Sequence, residues 1–72
     1  MQKFTRIGER LKNLRGEKTR KEVSKELGVS KSAIAMYERG ERVPRDNVKI
    51  KIAKFYNMSV EDIFYTENVH EM

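Results

Sequence analysis

The chain has 72 residues, with 16 Lys and Arg against 11 Asp and Glu, a net charge of +5 and a pI near 9.7. That length makes one small domain with a limited core, and the lack of cysteine excludes disulfides, thiolate zinc sites and cysteine nucleophiles. No apolar run approaches the roughly 18 residues of a membrane span, and the start, MQKFTRIGERL, lacks the apolar core of a signal peptide. A cytoplasmic protein with no membrane partner is the expectation.

The charge is unevenly placed. Residues 1–54 hold all 16 Lys and Arg against seven acids, a balance of +9, while residues 55–72 hold four acids and no Lys or Arg, a balance of −4. A basic body with an acidic end suits a nucleic-acid binder whose C-terminal part faces away from the phosphates. Charge alone also fits a small, well-solvated helical domain.

In chain order, Thr5 is placed to cap a first helix over 6–15, in which Ile7, Leu11 and Leu14 form one apolar stripe. Gly16 can end it. Thr19 then caps a second helix over 20–27, and Glu22, three residues on, completes a reciprocal capping box. Val23 and Leu27 share a face. Gly28 follows where a left-handed residue closes a helix, and Val29 can pack into the corner. Ser30 is a second N-cap, opening a helix over 31–39 through Ile34, Tyr37 and Glu38, with Gly40 as its stop. Two short helices, a glycine turn and a buried apolar residue are the signature of a helix-turn-helix.

The stretch GERVPR over 40–45 reads as a loop, with Pro44 disfavouring helix at Val43. Asp46 is the expected cap of a fourth helix over 47–56, where Val48, Ile52, Phe55 and Tyr56 make one face, with Ile50 and Ala53 widening it. Asn57 can take the left-handed closing position. Ser59 caps a last helix over 60–65, with Ile63 and Phe64 sealing the core. The expectation is an all-α fold of five helices, a single domain over 1–65 with a short acidic, frayed tail over 66–72.

An α-helix fits the major groove of B-DNA and presents side chains to base edges there. On the third helix, Lys31, Ser32, Ala35 and Met36 lie off the Ile34/Tyr37 side. Lys31 can donate to guanine, Ser32 to several bases, and Ala35 or Met36 can touch a thymine methyl. Thr19, Arg20 and Lys21 open the second helix, and Ser30 opens the third, where free N–H groups and the helix dipole favour phosphate. Arg39, Arg42 and Arg45 crowd the following loop as further phosphate contacts. Taken singly, Lys31 reads as a solvated lysine, Tyr37 as core and the arginines as an ordinary charged loop. The ordered set of cap, glycine turn, second cap, small polar face and arginine loop is what points to double-stranded DNA.

The same residues resemble the phage repressor and Cro-like helix-turn-helix family. The resemblance runs from about Ile7 to Phe64 and rests on IGERLKNLR, KEVSKELGVSKSAI, YERGERVP and IAKFYNMSVEDIF in that order. It implies a lambda-repressor-like domain of five helices that binds operator DNA and controls transcription, with helices 2 and 3 as the helix-turn-helix. It implies that Lys31, Ser32 and Met36 read bases, that Arg20 contacts phosphate, and that Arg15 pairs with Glu38. Two positions depart from the family pattern. Arg20 stands where Gln is frequent, and is expected to keep the phosphate but give up the link that the Gln amide makes to helix 3. Ser24 stands where Ala is frequent, so its hydroxyl needs a partner such as a helix carbonyl.

The expected function is therefore a sequence-specific transcriptional regulator of phage- or prophage-repressor type, acting as a homodimer at least on DNA at an inverted-repeat operator. The alternative is an antitoxin-like or regulator-docking module whose partner is a protein, met at Phe55, Tyr56, Phe64 and Tyr65. An enzyme is not expected. The one histidine, His70, lies in the tail, no carboxylate pair stands in an apolar setting, and no metal-ligand spacing or glycine-rich phosphate loop occurs. No cofactor, metal or small-molecule ligand is expected.

Overall fold

The structure, a computed structural model, describes residues 5–65. All regular structure among the described residues is helical: α1 (Thr5–Arg15), α2 (Arg20–Leu27), α3 (Lys31–Glu38), α4 (Asp46–Tyr56) and α5 (Val60–Phe64). The all-α expectation with five helices in these places holds. The tail proposed over 66–72 lies outside the described residues.

One core joins the five helices. Ile7 and Leu11 of α1, Val23 and Leu27 of α2, Ile34 and Tyr37 of α3, Ile52 and Ala53 of α4, and Ile63 and Phe64 of α5 are all buried in it. Ile63 has no exposed surface. Each of these apolar residues falls on the inward stripe of its helix, so burial of that stripe, at about 25 cal/mol per Å², is what holds helices of eight to eleven residues that would be marginal alone.

The junctions follow the cap chemistry read from the sequence. Thr19 Oγ1 accepts from the Glu22 N–H at 3.0 Å, and the Thr19 N–H donates to Glu22 Oε1 at 2.8 Å. Gly28 closes α2 at φ 71°, with its N–H on the Ser24 carbonyl. Ser30 Oγ accepts from the Ala33 N–H at 3.0 Å, and Ser59 Oγ from the Asp62 N–H at 3.0 Å. Asn57 closes α4 in the left-handed region at φ 57°.

Four boundaries differ from expectation. Thr5 is the first residue of α1 rather than its cap. Asp46 is the first residue of α4 rather than its cap; Arg45 holds the cap position, extended at φ −68° and ψ 164°, with no side-chain cap bond. After Pro44 the chain turns into the helix one residue earlier than the Asp signal suggests. The Asp46 carboxylate therefore acts on the first turn by charge, 3.9 Å from Lys49 Nζ. Finally, α3 ends at Glu38 and α5 at Phe64, each one residue short of the expected end.

Two contacts that fix the helices relative to one another carry no obvious sequence signal. Gly8 lies where α1 crosses α3. A methyl group added there would sit 2.8 Å from the Tyr37 carbonyl oxygen and inside contact distance of the Glu38 carbonyl. The two backbones touch, and only glycine permits it. Arg10 Nη1 donates to the Ile63 carbonyl, tying α1 to α5.

Candidate nucleic-acid interface

The orientation of α3 is set from its C-terminal end by a buried carboxylate. Glu38 has a side chain only 3% exposed. Arg15 Nε donates to its Oε2 at 2.6 Å, and Arg15 Nη2 donates to its Oε1 at 3.1 Å. This is the Arg15–Glu38 pair that the family resemblance implies. The fork also raises the Arg15 pKa further, the hydrogen bond to Glu38 outweighing the opposing effect of burial. A buried pair of this kind fixes geometry more than it adds net stability.

Arg20 does not give up its link to helix 3. Its Nε donates to Glu38 Oε1 at 3.1 Å. The guanidinium thus reaches the last residue of α3. Ser24 also resolves as expected: it is buried, and its hydroxyl donates to the Lys21 carbonyl at 2.9 Å.

With α3 held in this way, its N-terminal part is open. Lys31 and Ser32 are exposed, and Ala35 and Met36 are half-buried outside the core cluster. Tyr37 is core. The start of α2 presents Lys21, exposed beside Arg20. Thr19 and Ser30 use their oxygens as caps, so the hydroxyl proton of each is the group left to meet a phosphate. Arg42 and Arg45 are exposed in the loop and carry no ion pair among the described residues. Arg39 differs. Its Nε and Nη2 form a fork on Glu41 at 2.9 and 3.1 Å, which raises the Arg39 pKa and lowers that of Glu41. Contact with a phosphate would have to displace this exposed pair, a small cost for a solvated salt bridge.

The C-terminal aromatic residues do not form the single surface expected of them. Phe64 is 4% exposed and belongs to the core. Tyr56 faces inward beside Leu11, Ile34 and Glu38, and burial, with Glu38 nearby, raises its pKa despite the opposing charge of Arg15. Phe55 is half-buried against Tyr56, ring centroids 4.9 Å apart, and borders α2 near Lys25 and Glu26. Tyr65 is exposed and accepts from Lys49 Nζ at 2.7 Å. The exposed large apolar groups among the described residues are Ile50 and Tyr65; Ile50, expected to widen the apolar face of α4, points to solvent, while Ala53 is buried.

Among the described residues no three His, Cys, Asp or Glu side chains gather as a metal site, and no helix is long and apolar enough to cross a membrane. A small helical domain with a capped helix-turn-helix, its second helix exposed at Lys31 and Ser32, defines a DNA-binding regulator of transcription. Comparison with known proteins agrees. The helix-turn-helix family of the Cro/C1 type matches residues 11–63, and the chain belongs to it. The chain is 40% identical over 50 residues to an uncharacterized HTH-type transcriptional regulator of Methanocaldococcus jannaschii, an overlap that covers 69% of this chain and 76% of that protein. No solved structure matches. Members of this family typically act by binding DNA rather than by catalysis.

Proposed function

We propose that the protein is a repressor of phage or prophage type that reads an operator with the first half of α3 in the major groove. Lys31 and Ser32 donate to base edges, and Ala35 and Met36 meet thymine methyls. Arg20, Lys21, Arg42 and Arg45 hold phosphates, with Thr19 and Ser30 adding hydroxyl donors and Arg39 joining once it leaves Glu41. A homodimer, meeting around the exposed Ile50 and Tyr65, sets two reading helices against an inverted repeat with half-sites about one helical turn apart. The observation that carries this reading is the exposed pair Lys31–Ser32 at the open end of a helix whose other end is locked by Glu38. The aromatic surface on which a protein-docking role would rest loses Phe64 to the core, so the DNA reading is the better supported.

The test is selection from a random duplex pool at two salt concentrations, with the Lys31→Ala/Ser32→Ala double variant alongside. A two-fold-symmetric sequence should be retained by the parent and lost by the variant. Affinity should fall with salt at a log–log slope of roughly −5 per protomer. Retention of no sequence, or the same sequence from both proteins, would reject α3 as the reader.

A further inference from the structure

The loop that leaves α3 carries three arginines over residues 39–45 and one acid, Glu41. The acid sits on a firmly built turn. The Glu41 N–H donates to the Met36 carbonyl at 3.0 Å, and the Gly40 N–H to the Tyr37 carbonyl at 3.1 Å. These two bonds are the Schellman closure of a helix, in which the position of Glu41 often carries an apolar residue folded back on the last turn. Here the carboxylate takes Arg39 instead. Arg39 Nε and Nη2 donate to its Oε2 and Oε1 at 2.9 and 3.1 Å. The two side chains are 50% and 41% exposed, so the pair adds little to the stability of the fold. A carboxylate gripped by both prongs of a guanidinium has the place a phosphate would take in the same fork. Arg42 and Arg45, by contrast, are exposed and carry no ion pair among the described residues.

We propose that Glu41 is a specificity-determining residue: it fills the fork of Arg39 as a built-in stand-in for phosphate and withholds that arginine from sequence-independent grip on the DNA backbone. This rests on the DNA-binding reading above. With the fork closed, the pair presents no net charge and releases no counterion from the duplex. Binding to random DNA is almost wholly phosphate contact, so it loses one contact outright. In a complex seated by Lys31 and Ser32 on base edges, the loop is held against the backbone. There Arg39 exchanges the carboxylate for a phosphate at small cost, because the pair is solvated. The gap between operator and random DNA widens, although Glu41 itself touches no base.

The test compares the parent, Glu41→Gln and the Arg39→Ala/Glu41→Gln double variant in the full chain. It reads the salt dependence of binding to a random-sequence duplex pool and to the selected duplex, with the thermal midpoint as a check on folding. Glu41→Gln should steepen the random-pool slope by about one and tighten that binding about threefold. The gain on the selected duplex should be smaller, so discrimination falls. The double variant removes the pair whole and should return the random-pool slope to the parent value. The midpoint should hold in both. An unchanged random-pool slope in Glu41→Gln would overturn the proposal, since Arg39 would not be withheld. A steeper slope that persists in the double variant would overturn it as well, because Glu41 would then act as a plain repelling charge and not through Arg39. Equal tightening on both duplexes would remove the role in specificity. Parent protein that binds no duplex, or retains no sequence, would reject the underlying reading, and that result is seen before any variant is made.

Discussion

The two halves of the domain are held by different physics. From α1 to the end of α3, directional polar contacts set the geometry: a reciprocal capping box at Thr19, a serine cap at Ser30, and a buried carboxylate shared by Arg15 and Arg20. In α4 and α5 the polar contacts are fewer, Ser59 capping α5, and burial carries more of the fold. Arg45 makes no side-chain cap bond, and α5, five residues long, is held by Ile63 and Phe64. Directional contacts fix angles, whereas burial fixes only proximity. The half that must present a helix at a defined angle uses the first, and the half that closes the core manages with the second.

Glu38→Ala attacks the polar half where it is most concentrated. It strands Arg15 and loosens Arg20, and should cost about 3–5 kcal/mol in thermal or urea unfolding. Ile63→Ala is the corresponding cut in the apolar half, expected at about 2–5 kcal/mol. The two should separate in what survives. Ile63→Ala, studied below its midpoint, should keep most of its duplex affinity, and Glu38→Ala should not. Gly8→Ala strikes inside the first half by forcing the α1 and α3 backbones apart, with a loss of about 1–3 kcal/mol or more.

Smaller changes sharpen the contrast at the caps. Thr19→Ala removes a complete capping box and should cost about 1 kcal/mol, whereas Asp46→Ala should cost only a few tenths, its role being charge at the first turn. Arg45→Ser supplies the cap that α4 lacks and should stabilise the fold by about 0.5–1 kcal/mol while weakening DNA binding. The smallest effect is a pH dependence at Tyr56. Burial raises its folded pKa above the ordinary value of 10.0. Its contribution is therefore full below that value and lost as pH rises through the higher folded value. Alkaline unfolding of the parent should begin at lower pH than in Tyr56→Phe, with little difference between the two near neutrality.

The helix-turn-helix was legible because its determinants are local. Thr19 and Glu22, Gly28, and Ser30 each act within a few residues of chain, so a pattern in sequence is already a contact in space. What escaped depends on pairs far apart in sequence. Gly8 reads as a weak spot in a helix until α3 is seen against it, though an isolated glycine inside a strong apolar stripe is itself a hint of close packing. The reach of Arg20 to Glu38 and of Arg10 to Ile63 depends on side-chain length across a fold not yet formed. The misplaced cap at Asp46 shows the limit of a local rule, since a preceding proline can shift the start of a helix by one residue. Grouping Phe64 with Tyr65 as one surface failed because neighbouring residues on a helix point in different directions.

The central claim is that α3, locked at Glu38 and open at Lys31, is the surface that meets DNA. Amide chemical-shift mapping on addition of the selected duplex tests it most directly. The account predicts that the large shifts gather at residues 19–21, 30–36 and 39–45, with smaller ones at the proposed dimer surface around Ile50 and Tyr65. Shifts that leave residues 30–36 silent, or that spread evenly over every exposed lysine, would contradict it.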